Sequence, residues 1–477
     1  MTSGGAVGGK GSARPDRGGS SPRSQLAADL ARLAGEDALR QGPDYLHDST
    51  EMQGLAGRAK AVVAPPDVAA LQAVVAWCYE RGVAMVPRGG GTGFAGGAVP
   101  QGGVVVSLER LDRVRALEPE FWRVHLDAGV TTGRLHRLAR ESGLYFPVDP
   151  GASEQSQIGG NLACNAGGPH SFKYGVTRDW LTGLEAVVGG GELVRWGGAT
   201  RKDVAGYDLG SLLCGSEGTL GIITSARLKL IPMPEAQIPL VASYPSTYAG
   251  VAALRRVYGF GLRAAVLEYL DAGAVAASAA AFPGGLPDDT RFLVISEADG
   301  TRAEAEALAA ALAEALAEGA LRVDTVDTAG GVRDLWRWRG GVSFAVRGVH
   351  GGKMSEDVAV PFDRLEEALE VGEAAGRQVG LPTCSWGHAG DGNLHATFLI
   401  NADDADQVAR AARGAELIFA GVLELGGTVT GEHGLGLVKR AQLGRQFGPQ
   451  EVRLMLAIKA AFDAKNLFNP GKKVVAA

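Results

Sequence analysis

Val86-Pro87-Arg88-Gly89-Gly90-Gly91-Thr92-Gly93-Phe94-Ala95-Gly96-Gly97 decides how the first half of this chain is read. It contains GxGxxG at Gly91, Gly93 and Gly96, follows an apolar run that reads as a strand, and has Asp112 about twenty residues on. That is the outline of a dinucleotide-binding fingerprint. A Rossmann loop, however, must open a helix whose N-terminus faces the pyrophosphate. Here Ala98-Val99-Pro100-Gln101-Gly102-Gly103 breaks any helix and leads into Val104-Val105-Val106. The segment is therefore a loop between two strands, whose successive N–H groups can still form a nest for an anion.

Two further segments share its character. Ile158-Gly159-Gly160-Asn161-Leu162-Ala163-Cys164-Asn165-Ala166-Gly167-Gly168 lies in a Gly/Asn/Ser-rich stretch from Asp149, and Cys214-Gly215-Ser216-Glu217-Gly218-Thr219-Leu220-Gly221-Ile222-Ile223 is the third. Three such runs suit a large flat cofactor laid along main chain. The glycine content agrees: 71 of 477 residues, against an average usage of roughly 7%. An excess without a collagen-like period belongs to loops that need positive φ or close backbone approach.

Outward from these loops, Asp67 caps a helix whose Val68, Leu71, Val74, Val75 and Cys78 keep to one face, and Val83 to Val86 reads as a strand. Strands follow at Val104 to Leu108, Trp122 to Leu126, Leu184 to Val188, Leu193 to Trp196 and Leu220 to Ile231, with a helix around Leu135 to Ser142. Past Pro232 and Pro234 the pattern changes to Ala/Leu/Glu helices alternating with short strands: Phe292 to Ser296, Arg302 to Glu318, Leu321 to Val326, Asp357 to Val360, Leu365 to Val379, and His395 to Ile400. The fold class expected is α+β, with an antiparallel sheet covered by helices in the second domain and a ligand cleft between the two domains. The boundaries expected are a disordered Gly/Ser-rich tail over 1–25, a first domain over 26–234 and a second over 235–477.

Composition narrows the function. A hydrophobic fraction of 46% with 21% charged residues is that of a globular chain, and a net charge of −6 without a basic stripe gives no footprint for nucleic acid. Cys78, Cys164, Cys214 and Cys384 have no CxxC spacing, which fits reduced cytoplasmic thiols and excludes an internal iron–sulfur relay. The N-terminus lacks the apolar core of a secretory signal, and no apolar run reaches the roughly 20 residues of a membrane span. A cytoplasmic location follows, with peripheral membrane docking left open.

RGGGTGFAGG, DPGASEQSQIGGNLACNAGG, KYGVTRDWLTGLEAVVGGG and GSEGTLGIIT, in that order and with the later Leu467-Phe468-Asn469-Pro470-Gly471-Lys472, resemble the vanillyl-alcohol oxidase type of FAD-binding flavoprotein. In particular they resemble its D-lactate dehydrogenase, D-2-hydroxyglutarate dehydrogenase and glycolate oxidase large-subunit branch. The resemblance spans about residues 44 to 475. It implies a two-part FAD-binding domain followed by an FAD-oxidase C-terminal domain for substrate and metal. The implied pyrophosphate contacts are Arg88, Gly89, Gly90, Gly91, Thr92 and Gly93. Ribityl and ring contacts fall on Asp149, Ile158, Gly159, Gly160, Asn161, Asn165, Ala166 and Gly167, with further contacts from Tyr174, Gly175, Glu217, Gly218 and Ile223. Some relatives tether FAD through a histidine after the glycine run. Thr92 occupies that region here and no histidine follows until His125, so non-covalent FAD is implied.

A second constellation lies in the C-terminal half. Trp386-Gly387-His388-Ala389-Gly390-Asp391-Gly392-Asn393-Leu394-His395-Ala396-Thr397 carries two imidazoles on a glycine loop that runs into a strand, where His395 and Thr397 share a face by period two. Gly431-Glu432-His433-Gly434 adds a carboxylate and a third imidazole. Two histidines and a glutamate would leave a coordination position open, as in catalytic zinc sites, and no HExxH is present. GHxGDGNxH and GEHG match the metal-dependent D-2-hydroxy acid dehydrogenases. That resemblance implies His388, His395 and Glu432 as ligands of a divalent metal, zinc or manganese, and His433 as the base. Trp336-Arg337-Trp338-Arg339 followed by Ser343 resembles the substrate-binding arginine segment, which maps Arg339 onto the substrate carboxylate, with Arg337 and Arg333 as the alternatives, and Ser343 onto a nearby hydroxyl position; Lys353 falls near a lysine of the family.

The expected function is FAD-dependent oxidation of a small D-2-hydroxy acid (D-lactate, glycolate or D-2-hydroxyglutarate), with metal assistance and an external electron acceptor, a partner protein or quinone. Homodimer and hetero-complex subunit both remain open. Two other readings use the same residues: a metal-dependent hydrolase, in which the glycine segments only pack, and a non-catalytic flavin subunit of an electron-transfer complex.

Overall fold

Short β-branched runs build the first sheet. Ala61–Val63, Val104–Ser107 and Met85–Arg88 lie in parallel with the middle strand between the other two, and Leu39–Arg40 pairs antiparallel on the outer edge. In this computed structural model, which describes residues 22–50 and 54–474, the helix Val68–Glu80 covers the sheet, and the Asp67 carboxylate accepts from the Ala70 N–H at 2.8 Å to cap it. The expected tail lies outside the described residues up to position 21. From Pro22 the chain is helical, Pro22–Ala34, so positions 22–25 belong to a helix rather than to a tail. Leu30 and Ala34 enter the same core as Leu71, Val74, Val75 and Cys78.

A five-stranded antiparallel sheet follows in the order Val114–Glu118, Arg123–Asp127, Ile222–Lys229, Leu181–Val187, Leu193–Gly197. Alternate residues Val124, Leu126, Leu184, Ala186, Ala226 and Leu228 point into the first core. Within the stretch read as irregular from Asp149 to Gly168, Ile158–Cys164 is a short helix ending on Asn165 at φ 54°. Its two glycines conceal it from propensity. Gly159 is there because an added Cβ would lie 2.7 Å from that of Ala128.

The C-terminal half is built on a seven-stranded antiparallel sheet in the order Arg322–Thr325, Ala236–Tyr244, Phe292–Gly300, Val266–Leu270, Thr383–Gly387, Asn393–Ile400, Gly352–Ala359. The period-two alternation sorts its side chains onto two buried faces. Leu240, Ala242, Phe292 and Val294 pack with the helices Thr247–Gly259, Arg302–Ala317, Leu365–Val379 and Ala405–Glu424, while Val241, Leu293 and Ile295 pack with Ala272–Ser278 and Ala329–His350. The α+β class, with an antiparallel sheet and covering helices, is what the sequence predicts. The long helix Ala329–His350 is not. Gly330, Gly331, Gly340, Gly341 and Gly348 depress its intrinsic propensity, and burial of Leu335, Trp338, Val342 and Val346 along one face carries it instead.

After the helix Pro449–Phe462 the chain returns to the first sheet. Met85 donates its N–H to the Leu467 carbonyl and Asn469 to that of Met85, both at 2.7 Å, and Phe468 is fully buried in the first core. Asp463 holds this return by accepting from the N–H groups of Leu467 (3.0 Å) and Phe468 (2.7 Å) while paired with Lys459. Asp463→Ala leaves the buried Lys459 ammonium uncompensated and should cost about 3–5 kcal/mol, read as a shift of the urea midpoint; an unchanged midpoint would show that this clamp carries no stability.

Candidate functional site

The glycine loop of residues 89–103 joins Met85–Arg88 to its parallel neighbour with no helix between, as its residues predict. It packs so closely on the segment 155–160 that a Cβ on Gly90 would lie 2.0 Å from the Gln155 carbonyl oxygen. Arg88 is 8% exposed and donates to the His47 carbonyl at 2.6 Å. Beside this loop opens a cavity of about 930 Å³, at the upper end of ligand-site volumes.

Of the residues expected to contact the cofactor, Arg88 through Gly93, Asp149, Gly159, Gly160, Asn161, Ala166, Gly167, Glu217, Gly218 and Ile223 line that cavity. Four do not line it. Ile158 is fully buried in the first core, and Asn165 turns the chain and accepts from the Arg178 N–H at 2.9 Å. Tyr174 donates to Asp299 at 2.5 Å, and Gly175 backs onto Asp179. A dinucleotide fits the lining by shape: a Cβ added at Gly97 or Gly160 would meet nothing within 4 Å, and the buried Gln157 Oε1 has no hydrogen-bond partner.

Arg339, Ser343, Lys353, His388, His395, Glu432 and His433 all face the same cavity from the C-terminal half. His388 follows the strand Thr383–Gly387, and Gly392 at φ 65° turns the chain back into Asn393–Ile400, where His395 pairs with Trp386. Glu432 Oε1 lies 3.6 Å from His388 Nε2 and 3.7 Å from both His395 Nε2 and His433 Nε2. One ligand atom from each of His388, His395 and Glu432 falls within 4.8 Å of the others. Tetrahedral ligands at zinc distances stand roughly 3.4 Å apart, so the three fit a divalent ion.

The charge states agree with that fit. Burial pushes His395 down to about 3, leaving a neutral imidazole. Burial would raise Glu432, but His388 above all, then His433 and His395, bring it to about 2. Burial also opposes charge on His388, yet Glu268 and then Glu432 hold it protonated well above the ordinary imidazole range. A bound cation would replace that proton.

Two carboxylates that the sequence reading did not single out position these groups. Glu268, fully buried on Val266–Leu270, takes His388 Nδ1 on one oxygen and Arg339 on the other, Nε at 2.7 Å and Nη2 with it. A carboxylate behind a histidine fixes its tautomer and orientation. Asp357, also fully buried, accepts from the N–H groups of Gly431 (2.9 Å), Glu432 (3.0 Å) and His433 (2.9 Å), from the Thr430 hydroxyl and from Asn393 Nδ2. Burial pushes it up, but His433, Lys439 and His395 hold it far below the usual carboxylate range. The one signal for Glu268 was an acid inside an apolar run, Val266-Leu267-Glu268-Tyr269-Leu270, while Asp357 follows Ser355-Glu356 at the edge of the run Val358-Ala359-Val360.

The His433 ring stacks on Phe94, from the glycine loop, at 4.8 Å and on His395 at 5.4 Å, so the two halves of the cavity meet at this imidazole. His170 makes a second junction, hydrogen-bonded to Asp149 at 2.7 Å and to Glu297 at 3.2 Å.

Residues 59–197 match the model of the FAD binding domain, and residues 233–473 match that of FAD linked oxidases, C-terminal domain. The glycolate oxidase subunit GlcD of Bacillus subtilis is 35% identical over 414 residues, 86% of this chain and 88% of that one. The D-lactate dehydrogenase of Anaerostipes hadrus is 32% identical over 90% of this chain and 92% of its own. The D-2-hydroxyglutarate dehydrogenase of Xanthomonas citri is 34% identical, with 86% and 88% covered. Among solved structures, p-cresol methylhydroxylase with substrate bound superposes with a TM-score of 0.77 at 18% identity, over 95% of this chain and 96% of that one.

Gly90→Ala should abolish co-purification of flavin, read from absorbance near 450 nm, because its Cβ cannot be placed without moving main chain; a fully yellow variant refutes the cradle. Glu268→Gln should weaken zinc or manganese binding to the apoprotein by roughly 10–100-fold, measured by calorimetry, and undiminished affinity would detach Glu268 from this role.

Proposed function

We propose, from the premise that the chain belongs to the FAD linked oxidase family and is an FAD-dependent oxidoreductase of its 2-hydroxy-acid branch, that it oxidises a small D-2-hydroxy acid to the 2-oxo acid with the help of a divalent metal. The observation that carries this reading is the meeting of a glycine-lined cradle and a His388–His395–Glu432–His433 cluster in one cavity. FAD, held non-covalently along Arg88 to Gly93 and Gly159 to Asn161, supplies a hydride acceptor. A metal on His388, His395 and Glu432 supplies a positive charge that lowers the pKa of a hydroxyl beside it.

The chain's own residues do the rest. Glu268 occupies Nε and Nη2 of Arg339, which leaves Nη1 for the substrate carboxylate. Ser343 and Lys353, joined by a 2.6 Å hydrogen bond, stand on the same side of the cavity. His433 takes the hydroxyl proton on its imidazole as the general base. Its ring is held by Phe94 and His395, and its backbone by Asp357. Electrons leave to an external acceptor, a partner protein or quinone. No helix among the described residues is long and apolar enough to cross a membrane, and we place the enzyme in the cytoplasm.

Anaerobic mixing of the holoprotein, metal supplied, with glycolate, D-lactate and D-2-hydroxyglutarate should bleach the flavin with at least one of them. A flavin that none of them bleaches would favour a non-catalytic subunit, and a colourless protein a hydrolase. His433→Ala should keep FAD and metal while slowing bleaching by roughly 10²–10⁴-fold; His388→Ala should lose the metal. Full-rate bleaching by His433→Ala would remove it as the base.

A further inference from the structure

The outer face of the five-stranded antiparallel sheet, the one turned away from the first core, carries a cavity of about 370 Å³ that shares no lining residue with the large one. Its size is within the range of small-ligand sites. Strand register builds its floor. His125, Arg227, Gly183 and Gly197 stand side by side across four strands, and Asp127, Ser225, Glu185 and Arg195 form the next row. Gly183 and Gly197 put main chain where side chains would fill the hollow. A Cβ on Gly183 would lie 2.9 Å from the Gly198 nitrogen and 3.3 Å from Arg227 Cδ, and one on Gly197, which is at φ 64°, would lie 2.2 Å from the Thr182 carbonyl oxygen.

The charges around this hollow do not balance. Glu185 accepts from Arg115 at 2.7 Å, from Ser225 at 2.9 Å and from Arg195 at 3.0 Å. Asp127 accepts from Arg115 at 2.5 Å and Arg113 at 3.1 Å, and Glu118 from Arg123 through two bonds of 2.8 Å. These three carboxylates are thereby matched by four arginines. The guanidinium of Arg227, in the middle of the face, makes no ion pair or hydrogen bond among the described residues, and that of Arg195 is held through Nε alone. The neighbouring imidazole senses the excess: burial above all, then Arg227 and Arg115, push His125 below the ordinary imidazole range against the pull of Glu185 and Asp127. A guanidinium has five N–H donors to satisfy, and a hollow with a net positive lining concentrates anions.

We propose that this hollow is a second ligand site, independent of the active cavity, which takes a phosphate group, free or esterified to a small organic molecule, on Arg227 and Arg195. The donors favour phosphate over carboxylate. Arg227 and Arg195 reach the hollow from strands separated by one other, Leu181–Val187, roughly 10 Å apart, so two guanidinium groups approach from different sides. A phosphate dianion has oxygens to meet both, whereas one carboxylate is filled by a single fork.

The test is calorimetry on the flavin-loaded holoprotein at low ionic strength, titrated in turn with inorganic phosphate, glycerol 3-phosphate and acetate. At least one of the two phosphates should saturate with a Kd below roughly 1 mM, and acetate should bind at least roughly 10-fold more weakly. Arg227→Gln should weaken the phosphate by roughly 10–100-fold, while Arg227→Lys, which keeps the charge but not the fork, should lose less. Both variants should keep the flavin content and melting temperature of the unaltered protein, which a loosened sheet would lower. A preference for glycerol 3-phosphate that disappears in Arg227→Gln upholds the site for a phosphorylated small molecule, and a preference for inorganic phosphate that disappears in the same way upholds it for the free ion. The absence of saturable heat up to roughly 10 mM of either phosphate, or equal affinity in Arg227→Gln, overturns the site. Acetate bound as tightly as phosphate overturns its assignment to a phosphate group.

Discussion

A carboxylate that is sealed from water accepts hydrogen bonds and donates none, so it must be given donors or lose its charge. Asp357 is such a group, and what it gathers is the backbone of the loop that carries Glu432 and His433. The loop has no regular structure of its own, yet its two chemical side chains are fixed against the strand Gly352–Ala359 through three main-chain N–H groups. Thr430 and Asn393 complete the shell. The rest of the site depends on this anchoring, because Glu432 lies within 3.7 Å of His388 and His395 and His433 closes the contact to Phe94.

Glu268 has the corresponding role deeper in the molecule. It lies on the central strand of the seven-stranded sheet, where a charge without partners would be prohibitive. By dividing its two oxygens between His388 and Arg339 it couples the orientation of the His388 imidazole to that of the Arg339 guanidinium. The buried acids thus act as a frame, and the groups that face the cavity are the outer members of pairs whose inner members never meet ligand.

This division explains what could be read from the sequence. Glycine runs are local signals, legible because close backbone approach needs particular residue types at short spacing, whereas the GHxGDGNxH and GEHG segments are legible as motifs of the family they resemble. The strand–loop–strand setting of Arg88 to Gly97 followed from Pro100 and Gly102 alone. Glu268 and Asp357 were not legible in the same way, since their partners lie 36 to 120 positions away. A single acid in an apolar strand does not announce what it faces. The helix Ala329–His350 was hidden for another reason: its glycines weaken a period that only tertiary burial of Leu335, Trp338, Val342 and Val346 sustains. Short polar strands such as Val114–Glu118 were missed because their alternation is weak.

The return of the C-terminal segment to the glycine loop has a consequence for the order of assembly. Asn469 and Lys472 donate to the carbonyl of Gly97, and Lys472 also to that of Val99, across 372 to 375 positions of chain. During synthesis, the loop is therefore made long before the residues that finish its outer wall emerge, and it waits for them through the whole of the seven-stranded sheet. A contact this distant in sequence forms late. The outer wall of the loop is completed only when translation has passed Lys472.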